Sequence, residues 1–225
     1  MTTKEFRDRL TKRARRFEIP LSLTQISALE KYFRLLVLWN ARINLTALRL
    51  DPPDERSFDR LLIEPLAAVR FLPPGPVRLL DIGSGSGSPA IPLAVLGNLS
   101  SLTMVESKTR KAVFLMEAVR HLGLRASVET ERYEQLLSRP DMHEVTDVLT
   151  IRAVRVEPRT LLSLQAFVKP AGQLFWFRGA SAAKAAGMVP PPLAWVATHP
   201  LLEPSGSRLV VLTKSPVGRA GALQT

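Results

Sequence analysis

The stretch 79–92, LLDIGSGSGSPAIP, restricts the fold more than any other part of this 225-residue chain. Val77-Arg78-Leu79-Leu80 reads as a short buried strand that runs into Asp81 and then Gly83-Ser84-Gly85-Ser86-Gly87. An apolar helix is expected over 90–96. Glycines let a backbone turn sharply and approach a ligand that a Cβ would keep away, and the start of the next helix offers free N–H groups. Strand, carboxylate, glycine turn and helix in this order mark a nucleotide-type cofactor site in an α/β sheet.

The rest of the chain fits around such a site. Further strands are expected at 102–105, 126–128, 147–151, 173–177, 193–198 and 208–213. Between them, 108–122 reads as a helix with Ala112, Leu115, Met116, Val119 and Leu122 on its inner face, stopped by Gly123. Shorter helices are expected at 133–137, at 160–168, closed by Lys169-Pro170-Ala171-Gly172, and at 180–186. This alternation implies a Rossmann-like α/β fold, with a seven-stranded, mostly parallel sheet and helices on both faces.

Upstream the pattern is helical. A basic helix is expected over 4–17, carrying Lys4, Arg7, Arg9, Lys12, Arg13, Arg15 and Arg16, either as an RNA-phosphate surface or as a solvated face. Ser22 with Gln25 forms a capping-box pattern, and Ile26, Leu29, Phe33, Leu36 and Val37 recur at helical spacing to about Trp39. A third helix is expected over 58–71, with Pro65 at a kink or a start. Pro73-Pro74-Gly75-Pro76 then punctuates the chain. The expected organisation is a helical extension at 1–75 within the same compact unit, a Rossmann-like domain at 76–215 and a loose tail at 216–225.

Composition narrows the chemistry. Thirty-one Lys and Arg against twenty Asp and Glu leave a net charge of +11, which favours a polyanionic partner such as nucleic acid. The chain has no cysteine, which excludes disulfides, thiolate metal sites and a cysteine nucleophile. Its three histidines, His121, His143 and His199, lack metal-ligand spacing, so no metal is expected. Residues 2–16 are too polar and basic for a signal peptide, and no apolar run approaches the roughly 18–20 residues that span a bilayer. A cytoplasmic protein without a membrane partner is expected, and a monomer, because no long exposed apolar helix calls for a second copy.

The glycine pattern is G-x-G-x-G, at Gly83, Gly85 and Gly87, rather than the dinucleotide G-x-G-x-x-G. Asp81 stands directly before it, where a carboxylate disfavours a pyrophosphate but suits a cofactor with an amino group and a positive sulfur. Glu106 closes the second strand, where its carboxylate can accept bonds from two ribose hydroxyls. Together these features favour S-adenosylmethionine over a nicotinamide dinucleotide. Taken singly, the glycines could be a flexible connector and Glu106 a helix cap.

At these residues the chain resembles the bacterial 16S ribosomal RNA guanine-N7 methyltransferases (the RsmG or GidB family). The resemblance is carried by Trp39-Asn40 with Asn44-Leu45-Thr46, by Leu80 to Gly87 with Pro89 and Ile91-Pro92-Leu93, and by Glu106-Ser107 with Lys111 and Phe114-Leu115. Arg152-Ala153 and Arg178-Gly179 extend it. It implies a class I S-adenosylmethionine-dependent fold and a cofactor site at Gly83, Ser88, Glu106, Ser107, Lys108, Tyr133, Glu134 and Arg152. Five positions depart from the family pattern, among them Arg178, which replaces a usual Lys before Gly179. Ser88 stands where Phe or Leu is frequent, and Leu61, Glu64 and Pro65 stand where a His and an Asp-Ser pair are usual.

The expected activity is methyl transfer to nitrogen-7 of a guanine in 16S ribosomal RNA, free or within the small ribosomal subunit. Guanine nitrogen-7 carries a lone pair without prior deprotonation, so alignment matters more than a general base. Arg152 and Arg178, at the carboxyl ends of strands, are expected to position RNA phosphate or the target base. A methyltransferase of the same fold with another substrate, and a non-catalytic RNA-binding protein, remain open at this point.

Overall fold

Residues 1–152, 156–179 and 189–216 are described by a computed structural model. The helix expected at 180–186, Ala153 and the tail from residue 217 lie outside the described residues. Helices α1 (Thr3–Arg16) and α2 (Leu23–Ile43) both begin with capping boxes, Thr2 with Glu5 and Ser22 with Gln25. Each pair satisfies amides that the first helical turn leaves without partners. Helix α2 continues past Trp39, because the stop signal comes later. Asn44 takes the left-handed conformation, at φ 51°, and the Asn40 side chain accepts the Thr46 amide at 2.8 Å.

The segment expected as one helix over 58–71 is four short pieces. Helix α3 (Glu55–Phe58) passes into a π turn, Asp59–Ile63, then into α4 (Glu64–Ala68) and a 3₁₀ turn, Val69–Phe71. Pro65 sits in the first turn of α4, where it is tolerated, and its missing N–H falls just after the widened turn.

The remaining elements alternate. They are β1 (Val77–Ile82), α5 (Ala90–Leu96), β2 (Leu99–Val105), α6 (Thr109–Leu122), β3 (Ala126–Glu129), α7 (Tyr133–Leu136), β4 (Thr146–Arg152), α8 (Pro158–Leu164), β5 (Val168–Arg178), β6 (Leu193–Leu202) and β7 (Ser207–Lys214). The sheet order is β3-β2-β1-β4-β5-β7-β6. Strands β1 to β5 pair in parallel, and β7 inserts antiparallel between β5 and β6. Strand order reverses between β1 and β4, so the crevice outside their carboxyl ends is where an open α/β sheet takes a ligand.

Alternation along the strands splits the core. Leu79, Met104, Val148, Phe175 and Phe177 join the core formed with α1, α2, α5 and α6. Leu80, Ile82, Val105, Leu149, Ile151 and Trp176 join the opposite core beside α7 and α8. The N-terminal helices therefore share one apolar core with a face of the sheet. Phe6, Phe33 and Phe58 meet there at centroid distances of 5.4 to 5.8 Å.

Three expectations change. On α6, Met116 is 45% exposed, and Phe114 and Ala118 are buried instead beside Ala112 and Leu115. The buried arc turns toward Trp39 of α2, whose ring meets Phe114 edge-on at 6.0 Å. Next, Lys169-Pro170-Ala171-Gly172 lies within β5 rather than closing a helix. Thr146 pairs with Val168 but Val148 pairs with Gln173, so the intervening residues bulge and Pro170 needs no ladder amide. Finally, the cations of α1 do not form one free surface. Arg7 pairs with Glu30 at 3.1 Å, and Arg9 donates to the Pro53 carbonyl at 2.8 Å above the Phe58 ring.

Arg13 forms a two-pronged pair with Asp59, the first residue of the π turn; the side chains are 11% and 9% exposed. Removing one partner of so enclosed a pair strands the other charge. Arg13→Met is expected to cost about 3 kcal/mol in urea unfolding. Replacing both residues by apolar ones should recover most of that loss.

Candidate cofactor site

Strand β1 delivers its carboxyl end into a turn that requires glycine at three places. Gly83, Gly85 and Gly87 have φ of 72°, 52° and 82°, a region that side chains with a Cβ rarely adopt. A Cβ on Gly87 would stand 2.6 Å from Ile91 Cδ1. The turn is tightly held. The amides of Gly83 and Ser84 donate to the Val105 carbonyl at 2.9 and 3.0 Å, and Gly87 N–H donates to the Ser84 carbonyl at 2.7 Å. From α2 the buried Tyr32 hydroxyl donates to the Ser86 carbonyl at 2.8 Å. Its own pKa is raised, chiefly by burial.

Two carboxylates frame the turn. Glu106 Oε2 accepts the Gly85 amide at 2.9 Å and Oε1 accepts the Lys108 amide at 2.8 Å. Each oxygen keeps a second lone pair for a hydroxyl donor. Asp81 is fully buried below the turn. Its Oδ1 accepts from the Thr150 hydroxyl at 2.5 Å, whereas Oδ2 has no hydrogen-bond partner. Burial pushes the carboxyl up to about 6, against the neighbouring hydroxyls of Thr150 and Ser84 and the charge of Arg152.

Arg152, at the end of β4, is not a solvated strand end reaching toward substrate. It is buried, with Nη1 donating to the Arg60 carbonyl at 2.5 Å and Nη2 to the Ser88 carbonyl at 2.8 Å. Glu64 lies 3.9 Å away. Burial lowers the Arg152 pKa to about 10, with Glu64 opposing, and burial raises that of Glu64. Ser88 is buried as well, and its hydroxyl donates to the Leu61 carbonyl at 2.7 Å. Pro65 accounts for one absent donor here. At α spacing its amide would serve Leu61 and at π spacing Arg60, but proline has no N–H. Ser88 and Arg152 donate to these two carbonyls from outside the helix.

The expected site residues divide between two adjoining cavities. One, of about 600 Å³, is lined by Gly83, Gly85, Ser88, Glu106 and Arg152. The other, of about 260 Å³, is lined by Ser107, Tyr133 and Glu134, and Gly83 borders both. Gly87 and Asp81 line neither cavity, and the Asp81 carboxyl lies buried beneath the turn. Lys108 contributes its amide to Glu106 and lines neither cavity. Arg178 also lies off both, with its guanidinium 4.2 Å above the Trp176 ring on the opposite core.

Several cavity residues were missed from sequence. Leu45 to Leu48 form a wall from the N-terminal segment, tied to α6 where Lys111 Nζ donates to the Leu45 carbonyl at 3.3 Å. Arg56 and Arg60 complete the lining. The W-N-x-x-x-N-L-T element was the available signal for that wall; nothing local marked Arg56 or Arg60. Among the described residues no His, Cys, Asp and Glu cluster suits a metal, and no helix is long and apolar enough to cross a membrane.

The sheet order with this crevice defines a Rossmann-like methyltransferase fold. Solved structures of that shape include a putative methyltransferase, yhhF, from Escherichia coli (TM-score 0.56, 12% identity, covering 68% of this chain and 86% of that one). Another is an S-adenosylmethionine-dependent methyltransferase from Aquifex aeolicus (TM-score 0.52, 17% identity, covering 69% and 93%). At such identities the likeness concerns the fold.

The family follows from sequence. The family model for GidB, rRNA small subunit methyltransferase G, matches residues 25–188. A ribosomal RNA small subunit methyltransferase G from Xylella fastidiosa is 36% identical over 199 residues, covering 87% of this chain and 90% of its own length. One from Roseiflexus castenholzii is 38% identical over 149 residues, covering 65% and 62%. The chain belongs to the rRNA small subunit methyltransferase G family and is an S-adenosylmethionine-dependent enzyme.

The raised pKa of Asp81 has a measurable consequence for stability. The folded state takes up this proton more readily than the unfolded chain, whose Asp titrates near 3.8. Asp81 thus favours folding at low pH, and that contribution is lost as pH rises through about 6. Asp81→Asn should match the native protein near pH 4 and exceed it by up to about 3 kcal/mol at pH 7.5. Urea unfolding of both proteins across this range checks the trend.

Proposed function

We propose that the two adjoining cavities together hold S-adenosylmethionine, and that the enzyme methylates nitrogen-7 of a guanine in 16S ribosomal RNA. The observation that carries the cofactor assignment is the orphaned Asp81 Oδ2 beneath a turn whose glycines leave no Cβ in the way. A buried acceptor without a donor fits a cofactor that brings an ammonium group. Gly83 and Gly85 allow close approach, Glu106 accepts ribose hydroxyls, and Ser107, Tyr133 and Glu134 surround the smaller cavity.

When bound, the cofactor supplies an already activated methyl group. The protein then has to present guanine nitrogen-7, which needs no base to expose its lone pair. The larger cavity matches that economy, since its titratable lining residues are Arg56, Arg60, Glu106, Lys111 and Arg152, with no histidine. Glu106 is held by two amides and Arg152 by two carbonyls, which suits orientation rather than proton transfer. Ser88 and Arg152 line the larger cavity and are tied to the Leu61 and Arg60 carbonyls. The reading includes no metal, because aligning a methyl group with a lone pair requires none. It places a monomer in the cytoplasm, with residues 1–75 serving as an extension of the methyltransferase domain.

Transfer of labelled methyl groups to 16S RNA, naked and in the small subunit, with mapping by cleavage at the modified base, tests the substrate. A single modified guanine is expected; labelling of protein alone would defeat the reading. Asp81→Asn should weaken S-adenosylhomocysteine binding at least about tenfold in calorimetry, through loss of a charge-assisted contact. Affinity of the native enzyme should be flat above pH 7 and fall progressively below about pH 6, as Asp81 becomes protonated.

A further inference from the structure

The larger cavity holds more positive charge than its cofactor can use. Arg56, Arg60, Lys111 and Arg152 line it, against one carboxylate, Glu106. S-adenosylmethionine brings a single carboxylate beside its ammonium and sulfonium, so it can use one of these cations, and the others call for a second anionic partner. Arg152 is committed to two carbonyls and Lys111 to one. Arg56 is exposed and Arg60 half-buried, and among the described residues neither guanidinium has a hydrogen bond or an ion pair. This sets them apart from Arg7, Arg9, Arg13, Arg34 and Arg139, each of which is bound within the protein.

Their placement is built rather than incidental. Arg56 and Arg60 stand four residues apart across the junction of α3 and the π turn, which brings them to one side. Pro65 has no amide, so it can serve neither the Arg60 nor the Leu61 carbonyl. Arg152 takes the first and Ser88 the second. The backbone that bears Arg60 is thereby fastened to the end of β4 and to the residue just after Gly87.

We propose that Arg56 and Arg60 grip RNA phosphates flanking the target guanine, and that Ser88 and Arg152 act as positioning residues that aim them through the Leu61 and Arg60 carbonyls. The proposal rests on the RNA methyltransferase reading above. It assigns the departures at Ser88 and Pro65 to one connected device: the proline lacks an amide and the serine hydroxyl meets the Leu61 carbonyl.

The test uses the full chain with small-subunit RNA and with a fluorescent RNA oligonucleotide. Arg56→Ala and Arg60→Ala should each lower the slope of log affinity against log salt by about one. Each should raise KM for RNA about tenfold with a much smaller change in kcat, and leave S-adenosylhomocysteine affinity within about twofold. Ser88→Ala should raise KM for RNA, and Ser88→Thr, which keeps the hydroxyl, should restore it. Adding Pro65→Ala to Ser88→Ala should also restore it, because the new amide can reach the Leu61 carbonyl.

A double Arg56→Ala, Arg60→Ala protein with unchanged salt slope and KM overturns the phosphate grip. A Ser88→Ala penalty of equal size with and without Pro65 overturns the positioning role. If the native enzyme leaves small-subunit RNA unmethylated, the proposed substrate fails, while the oligonucleotide salt slope still decides the grip.

Discussion

The guanidinium of Arg152 joins three pieces of chain that are distant in sequence. It rises from the end of β4, holds the Arg60 carbonyl in the π turn and holds the Ser88 carbonyl after the glycine turn. The cofactor crevice, the N-terminal wall and the sheet therefore have one common fastening. Burial makes the charge expensive, and two carbonyls with Glu64 nearby offset that cost. Such an ion is poor at reaching out to substrate and good at fixing relative position.

Much of the fold is legible in the sequence where signals are local. The capping box at Ser22, the strand into Asp81 and the stop at Gly123 depend on neighbours within a few residues, and they stand where the pattern puts them. The illegible parts depend on distant partners. Lys169 to Gly172 looks like a loop because Pro and Gly are read as breakers, whereas the ladder with β4 absorbs them as a bulge. The 58–71 segment has helical periodicity, but the carbonyls before Pro65 meet donors from residues 88 and 152, which lie far away in sequence.

The site divides in the same way. Gly83, Gly85, Asp81 and Glu106 lie at strand ends whose roles follow from topology. The role of Arg152 is different: a strand-end arginine beside a crevice reads as a substrate contact, but both of its terminal nitrogens are bound to backbone carbonyls. Arg178 is directed by alternation to the other face of the sheet and rests on Trp176. Leu45 to Leu48, Arg56 and Arg60 reach the cavity only because α1 and α2 fold back onto the sheet through the Phe6, Phe33 and Phe58 cluster. The basic character of α1 misled in a related way, since several of its arginines hold the helices together.

Tyr32 gives the glycine turn a meaning beyond shape. A run of three glycines in five residues ordinarily signals a supple hinge. Here a phenol planted in the core grasps the Ser86 carbonyl while Val105 and Glu106 hold the other side. The glycines supply permitted angles rather than mobility. The receptor surface is thus preformed, and a ligand entering it forfeits little chain entropy.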